Sequence, residues 1–267
     1  MRYGFVLPGG TARQSIDRAV AAEDAGWEAV FLAEGPFIED PWVMLGAVAE
    51  RTSTIRLGSM LTPLPWRRPW KLAGQAATLD HISGGRAVLA VGTGATDVGL
   101  IGPPDAAGVK ERAELLDEGI DIITGLWSGE RAFRGSHYHF DLKDNPFQVL
   151  APVQQPRLPI WCVGAWPRMK SMRRVLKADG LLPLVFDPSL RMAEPADLQA
   201  MVSWLAEQGV PATYDVIKEG ETPTDDPASW PGIVQPWRDA GATWWLESRW
   251  GAPDQTEARI AAGPPDR

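Results

Sequence analysis

The feature that most constrains this fold is a regular alternation of short apolar runs with amphipathic segments. Each apolar run is followed by a stretch with helical periodicity, a pattern typical of βα units around a parallel sheet. The apolar runs predict strands at 3–7, 28–33, 55–61, 86–91, 160–163, 180–185, 213–217 and 243–246. The periodic stretches predict helices at 13–25, 41–51, 70–80, 109–126, 168–178, 195–208, 227–240 and 255–262.

Eight βα units in 267 residues predict a (β/α)8 barrel. The alternative is a doubly wound open sheet, which requires G-x-G-x-x-G after its first strand, and Gly9-Gly10 does not supply it. Residues 131–159 interrupt the alternation, because 133–142 has a hairpin pattern and 146–159 is rich in proline. We therefore expect residues 1–267 to form a single barrel domain with a hairpin insertion, 131–159, before the fifth strand.

The composition excludes several classes of protein. The net charge of -8, from 26 Lys+Arg against 34 Asp+Glu, argues against a general nucleic-acid binder. Cys162 is the sole cysteine, which excludes disulfide scaffolds and Cys-rich zinc sites. His137 and His139 alternate on the insertion without an evident third ligand, so no metal site is expected. Without a signal-peptide pattern or a run of about 20 apolar residues, we expect a cytoplasmic protein with no membrane partner.

Several spaced motifs resemble those of the luciferase-like flavin-dependent oxidoreductases. They are 55–63 (IRLGSMLTP), 78–86 (TLDHISGGR), 91–94 (VGTG), 160–164 (IWCVG) and 178–180 (ADG). The resemblance implies a (β/α)8 barrel that binds FMN or the deazaflavin coenzyme F420 and acts as an oxidoreductase or monooxygenase on a small organic substrate. It leaves open a separate flavin or F420 reductase as partner, and a homodimer.

The active site of such a barrel lies at the carboxyl ends of the strands. The turn 164–168 follows the fifth strand and precedes a helix, whose free N–H groups and positive dipole end suit a phosphate, and the resemblance puts the cofactor phosphate there. The turn 92–94 offers glycines for close approach and one hydroxyl; ordinary tight turns are the alternative for both. The predicted cofactor-binding residues are Gly92, Thr93, Gly94, Gly164, Ala165, Trp166, Pro167 and Arg168.

Further assignments rest on the resemblance. Ser59-Met60 matches the position where deazaflavin members carry a non-proline cis peptide, which implies a backbone bulge behind the cofactor ring; a plain strand end is the alternative. Glu34-Gly35 replaces the Asp-His pair of many members, so Glu34 is the candidate catalytic base, with a structural hydrogen-bond acceptor as the alternative. Ala95 stands where sugar-phosphate dehydrogenases of the family carry an acid, so that chemistry is not expected.

A last group of residues is expected around the barrel mouth as a substrate pocket. Its arginines suit an anionic substrate or the acidic tail of F420, or they pair with nearby acids. Its tryptophans, together with Trp166, are candidates to line a flat-ring pocket. Its carboxylates leave open a glycoside-active barrel, and the absent histidine leaves open a non-catalytic flavin-binding relative. The predicted pocket residues are Trp66, Arg67, Arg68, Trp70, Glu219, Glu247, Arg249 and Trp250.

Overall fold

The computed structural model describes residues 1–35, 38–94, 108–146 and 148–266. Its strands are β1 (Arg2–Leu7), β2 (Ala29–Leu32), β3 (Arg56–Pro63), β4 (Ala87–Gly92), β5 (Ala132–Arg134), β6 (His139–Asp141), β7 (Ile160–Trp166), β8 (Gly180–Phe186), β9 (Leu190–Met192), β10 (Asp215–Gly220) and β11 (Trp244–Glu247). Its helices are α1 (Ala12–Asp24), α2 (Pro41–Arg51), α3 (Pro69–Ser83), α4 (Val109–Trp127), α5 (Met169–Val175), α6 (Pro195–Glu207), α7 (Trp230–Asp239) and α8 (Thr256–Ala261).

The long parallel strands close into a barrel. Strands β1, β2, β3, β4, β7, β8, β10 and β11 pair in that order, and β11 pairs back to β1. Closure between β8 and β10 is made by the pairs Gly180–Asp215 and Leu181–Val216. The helices between consecutive strands cover the outside of the sheet, which confirms the predicted (β/α)8 barrel.

Local sequence signals explain where the first helices begin. The hydroxyl of Thr11 accepts from the backbone N–H of Gln14, whose side chain accepts from the Thr11 N–H in return, and this capping box starts α1. Asp40 accepts from the N–H groups of Trp42 and Val43 at the start of α2. These caps direct the chain back along the outside of the barrel after β1 and β2.

The inserted hairpin is present as the short antiparallel pair β5 and β6. Strand β9 was not predicted; it pairs antiparallel with the end of β8. All three residues of β9 are exposed, and its Leu-Arg-Met sequence is too short an alternation to indicate a strand. Helix α5 is shorter than predicted, because residues 176–178 form tight turns that bring the chain directly to β8.

The amino end of the barrel is filled with side chains. Trp161 and Trp244 are fully buried inside the sheet, with ring centroids 5.5 Å apart. The Trp161 indole donates to a carboxylate oxygen of Asp215 at 3.0 Å, and Arg2 pairs with the other oxygen. This plug closes one end, so a ligand that enters the barrel must come from the carboxyl ends of the strands.

None of the helices in the described ranges combines the length and apolarity needed to cross a bilayer.

Candidate functional site

A cavity of about 180 Å³ opens at the carboxyl ends of the barrel strands. Its wall is almost entirely apolar, and it joins strands that are far apart in the sequence. Strand β9, together with the residue after it, forms one edge of the cavity. The lining residues are Met60, Leu61, Val163, Leu182, Pro183, Leu184, Met192, Ala193, Ile217, Lys218 and Glu219.

Glu219 supplies the carboxylate of this cavity. The indole Nε1 of Trp250 donates to its Oε1 at 2.6 Å, so two predicted pocket residues are brought together at the mouth. Lys218, the preceding residue, directs its amine to the outside of the barrel, where it lies 4.1 Å from the ring centroid of Trp237 in α7. Burial lowers the pKa of Lys218, and the nearby Glu219 acts in the opposite direction.

The bulge expected in β3 forms part of the cavity wall. The pairing of β3 with β4 shifts register between Ser59 and Thr62. The cis peptide bond joins Met60 and Leu61, one residue beyond the predicted Ser59-Met60 position. Met60 and Leu61 line the cavity, whereas the buried Ser59 hydroxyl lies 2.6 Å from the hydroxyl of Thr62.

Glu34, the predicted catalytic base, lies in a hydrogen-bonded cluster at the ends of β2 and β3. Its Oε1 accepts from Nε of Arg67 at 2.6 Å. Its Oε2 accepts from the hydroxyl of Thr62 at 2.7 Å and from the indole of Trp42 at 3.3 Å. Both oxygens are engaged and Glu34 is not among the cavity-lining residues, which favours the alternative of a structural acceptor.

Arg67 and Arg68, predicted together as an anion-binding pair, have different environments. Arg67 is mostly buried and ion-paired with Glu34, and its guanidinium also approaches Asp40 at 3.6 Å. Arg68 is exposed at the start of α3, where it lowers the pKa of Tyr138 in the hairpin, although burial raises that pKa overall. For Arg67 the structure therefore favours the alternative that these arginines pair with nearby acids.

The turn after β4 packs tightly against β3 and the residues that follow it. Gly94 has φ of 77°, and a Cβ there would lie 2.9 Å from the Cβ of Pro63 and 3.1 Å from the Trp66 indole. At Gly92 a Cβ would lie 3.0 Å from Leu61. These glycines are therefore explained by the chain's own side chains, without the close approach of a cofactor on which the prediction rested.

Two polar groups beside this turn, one on Trp66 after β3 and one on Thr93, have no hydrogen-bond partner in the described part of the chain. The buried Nε1 of Trp66 lacks a hydrogen bond, and the half-buried Thr93 donates its hydroxyl to no other described residue. A buried donor without a partner is costly, so it indicates a group that a ligand can satisfy. Ala95 lies outside the described residues.

The turn from β7 to α5 presents Arg168 as a cation that forms no ion pair with any described residue. Arg168 is exposed, and its guanidinium lies 3.6 Å from the ring centroid of Phe186. Helix α5 begins at the next residue without a side-chain cap. The Ala165 N–H donates to the hydroxyl of Ser171 at 3.0 Å, and Pro167 is exposed.

Two other residues of this turn face away from the mouth. Trp166 packs against Trp204 of α6 on the outside of the barrel, with ring centroids 6.5 Å apart. Gly164 faces neighbouring side chains of the core, since a Cβ there would lie 2.5 Å from Leu181. The prediction that Trp166 lines a flat-ring pocket is not supported by this orientation.

Of the predicted pocket residues Glu219 alone lines the cavity, and Glu247, Arg249 and Trp70 lie in other surroundings. Glu247 is fully buried and accepts from the N–H and hydroxyl of Thr222, both at 2.8 Å. Burial raises the pKa of Glu247, while Arg259 and the hydrogen bonds act in the opposite direction. Arg249 is buried and donates to the Thr222 carbonyl at 3.0 Å. Trp70 packs on the hairpin, 5.9 Å from Tyr138.

The histidines are remote from the cavity. His81 contacts the carbonyl of Ala151 at 2.9 Å, His137 lies 3.1 Å from Glu114, and His139 is exposed on β6. No cluster of three potential metal ligands occurs within the described ranges.

Apart from Met60, the apolar cavity residues were missed at the sequence level. Val163, Leu182 and Ile217 occupy inward positions of β7, β8 and β10. The period-two alternation of each strand identifies such positions, but it does not tell which of them border a space rather than a packed layer.

The fold and the mouth cavity define a (β/α)8 barrel with a site at the carboxyl ends of its strands. The family model described as luciferase-like monooxygenase matches residues 2–208, and the chain belongs to this family. The chain is 40% identical over 141 residues to the F420-dependent glucose-6-phosphate dehydrogenase of Nakamurella multipartita, covering 47% of this chain and 40% of the relative. It is 31% identical to a putative coenzyme F420-dependent oxidoreductase of Mycobacterium tuberculosis, covering 64% and 50%.

A third curated relative is the oxygenase component of the flavin-dependent trigonelline monooxygenase of Acinetobacter baylyi, 29% identical with coverage of 58% and 43%. The chain thus spans about half the length, or less, of these relatives. The coenzyme F420-dependent tetrahydromethanopterin reductase of Methanopyrus kandleri has a TM-score of 0.75 at 17% identity, with coverage of 99% of both chains. The oxygenating constituent of 3,6-diketocamphane monooxygenase from Pseudomonas putida, in complex with FMN, has a TM-score of 0.63 at 20% identity, covering 100% and 80%. These two likenesses concern the fold.

Proposed function

We propose that this chain is a flavin- or deazaflavin-dependent oxidoreductase that holds FMN or coenzyme F420 at the barrel mouth. The observation that carries the proposal is the apolar cavity at the carboxyl ends of the strands, walled by the β3 bulge at Met60 and Leu61. Membership of the luciferase-like family supports it, since relatives are named for F420 or flavin. When bound, the cofactor exchanges a hydride or, as a reduced flavin, reacts with oxygen.

The residues at the mouth fit such a cofactor. Ligand pockets usually measure roughly 300–1,000 Å³, so a cavity of about 180 Å³ holds a small substrate or part of a ring, and the rest of the cofactor must lie over the rim. Met60 and Leu61 provide an apolar wall. The unpaired Trp66 indole and the Thr93 hydroxyl provide hydrogen-bonding groups beside it.

The start of α5 is proposed as the place for the cofactor phosphate. The first N–H groups of α5 have no side-chain cap, and Arg168 stands exposed beside them without an ion-pair partner in the described chain. Lys170, exposed in the first turn, adds a second positive charge. An uncapped helix start with two cations favours an anion.

Glu34 is proposed to fix the rim and to take no part in proton transfer. Its carboxylate joins β2 to β3 through Thr62 and to the loop after β3 through Arg67, which orders the backbone beside the cavity. Ser59 stabilises the same strand end through Thr62.

A small organic substrate, a separate reductase and a second copy of the chain are the proposed partners. The relative named as an oxygenase component supports a reductase partner. A groove between α2 and α3 exposes Val43, Trp70 and Ile82, and a face of this kind suits association. Lys71 and Glu50 lie toward opposite ends of these helices without ion-pair partners in the described chain, so a two-fold arrangement can pair them. A cytoplasmic location stays a prediction.

The test is a titration of the purified protein with FMN and, separately, with F420, followed by fluorescence and calorimetry. We expect one of them to bind at one per chain. Arg168→Ala should weaken binding by about tenfold or more, because a charged hydrogen bond contributes roughly 1.5–3 kcal/mol. Arg173→Ala is the matched control, since Arg173 is an exposed cation at the other end of α5.

Failure of both cofactors to bind would refute the proposal. Equal weakening by the two variants would show that the phosphate does not bind at the start of α5. The effect of Arg168→Ala would then be a general effect of charge. Turnover of a substrate by the loaded protein then separates an enzyme from a non-catalytic flavin binder.

A further inference from the structure

Glu219 places a carboxylate in an otherwise apolar cavity. Strand β10 alternates, and Asp215 and Ile217 both contact the barrel interior. Glu219 therefore faces the interior as well, at the level of the mouth. Apolar side chains from β3, β7 and β8 form the walls around it.

Glu219 forms no ion pair within the described chain, although it interacts electrostatically with the neighbouring Lys218. No lysine or arginine of that part of the chain lies within ion-pair distance of it, and Lys218 directs its amine to the other face of the sheet. The buried Arg249 is held by the Thr222 carbonyl and by Gln255. The described partner of Glu219 is the neutral Trp250 indole on Oε1, so Oε2 has no hydrogen bond there.

An unpaired carboxylate beside apolar walls loses part of its hydration, and a cationic ligand offsets this cost. A neutral donor offsets less of it, because an ammonium adds the attraction between opposite charges to the hydrogen bond. The space is also limited: about 180 Å³ corresponds to about six water molecules, at roughly 30 Å³ for each. Charge and size together indicate a small alkyl group that carries an ammonium.

We propose that the cavity binds a small primary or secondary alkylamine in its protonated form, and that Glu219 is the residue that selects it. Trp250 is a positioning residue, because its N–H holds Oε1 and leaves Oε2 for the ligand. As a statement about the substrate class, this inference rests on the proposed oxidoreductase function. As a statement about recognition, it stands on the cavity alone.

The experiment measures binding of cyclohexylamine, cyclohexanol and methylcyclohexane to the purified chain by calorimetry at neutral pH. The three probes share a ring and differ in charge and hydrogen bonding. We expect the wild type to bind cyclohexylamine at least about tenfold more tightly than cyclohexanol, because the ammonium adds an attraction between opposite charges that the hydroxyl lacks. Glu219→Gln should abolish this preference.

Glu221→Gln is the matched control. It removes the same charge two residues further along, from an exposed side chain that accepts from the N–H of Gly251 and does not line the cavity. It should keep the preference for the amine. Circular dichroism of both variants checks that they are folded.

Three outcomes would overturn the inference: no preference for the amine in the wild type, a preference that survives in Glu219→Gln, or amine binding that saturating cofactor abolishes. The last would show that the cofactor ring occupies the cavity. A chain that binds neither FMN nor F420 but keeps the Glu219-dependent preference refutes the proposed redox function and supports recognition of the amine. The two proposals therefore fail separately.

Discussion

At the scale of single residues, Glu34 and Arg67 show how a charge near a barrel mouth acquires its role. The sequence places each after a strand, where either one is a candidate for chemistry. The fold places β2 beside β3, so the carboxylate and the guanidinium meet at 2.6 Å and largely neutralise each other. Because Glu34 is nearly buried, the pair contributes to the stability of the rim rather than to a free acid or base.

Removal of the Glu34 carboxylate should therefore lower the stability of the protein. Glu34→Gln leaves the mostly buried guanidinium of Arg67 without its counter-charge, so we expect the free energy of unfolding to fall by about 2–3 kcal/mol, below the 3–5 typical of fully buried pairs. Urea denaturation measures it. Glu39→Gln, at an exposed position nearby, should change it by less than about 0.5 kcal/mol. An unchanged stability together with lost activity would restore Glu34 as the base.

At the scale of elements, the strands extend further toward the mouth than their apolar pattern indicates. Predicted strand 213–217 ends before the residues that line the cavity mouth, whereas β10 continues through Lys218 and Glu219 to Gly220. β7 likewise continues to Trp166. The residues at the carboxyl end of a barrel strand serve the site and are not selected for the core, so hydrophobic periodicity stops while the backbone pairing continues.

The last helix, α8, is anchored by buried residues, among which Arg259 is the charged one. Arg259 is fully buried, with its guanidinium 3.9 Å from the ring centroid of Trp230 and 4.9 Å from that of Trp27. It donates to the hydroxyl of Thr222 at 2.9 Å and lies 3.5 Å from a carboxylate oxygen of Glu247. Burial lowers the pKa of Arg259 to about 10, so the group stays charged at neutral pH.

A substitution that keeps the charge but removes the planar group tests this contact. Arg259→Lys loses the stacking and the forked donors, so we expect about 2–4 kcal/mol less stability. Hydrogen exchange should show faster opening of α8 than of the barrel strands. Arg13→Lys, exposed in α1, is the control and should leave both measurements unchanged. If hydrogen exchange became faster across the whole barrel by the same factor, Arg259 would stabilise the entire fold rather than α8 in particular.

At the scale of the whole molecule, the barrel followed from the sequence because each βα unit is signalled locally by its own periodicity and caps. The cavity could not be predicted from the sequence, because it forms where β3, β7, β8 and β10 meet in the closed barrel. No local sequence pattern indicates that these strands meet there. Trp66 and Trp250 remain at the mouth, while Trp70 and Trp166 pack outside the barrel. The turn residues were located at the right strand ends, but side-chain direction there depends on packing across the closed sheet.

Cys162 offers a probe of this closed barrel as one unit. It lies within β7, fully buried between β4 and β8, and burial raises the pKa of its thiol from 9.0 to about 12. Because only the thiolate reacts with disulfide reagents, the native thiol is protected by both burial and protonation. At pH 8 we expect no reaction of the native protein with a chromogenic disulfide, and one equivalent per chain after unfolding in guanidinium.

The same raised pKa sets a pH dependence of stability. Below pH 9 the thiol is protonated in both states, so its contribution is fully present; as the pH rises from 9 toward 12, ionisation favours the unfolded chain and that contribution is lost. The unfolding free energy of the wild type should therefore fall more steeply between pH 9 and about 10.5 than that of Cys162→Ala, which lacks the titrating group. Rapid labelling of the native protein at pH 8, or parallel pH profiles for the two proteins, would mean that β7 opens without unfolding of the barrel.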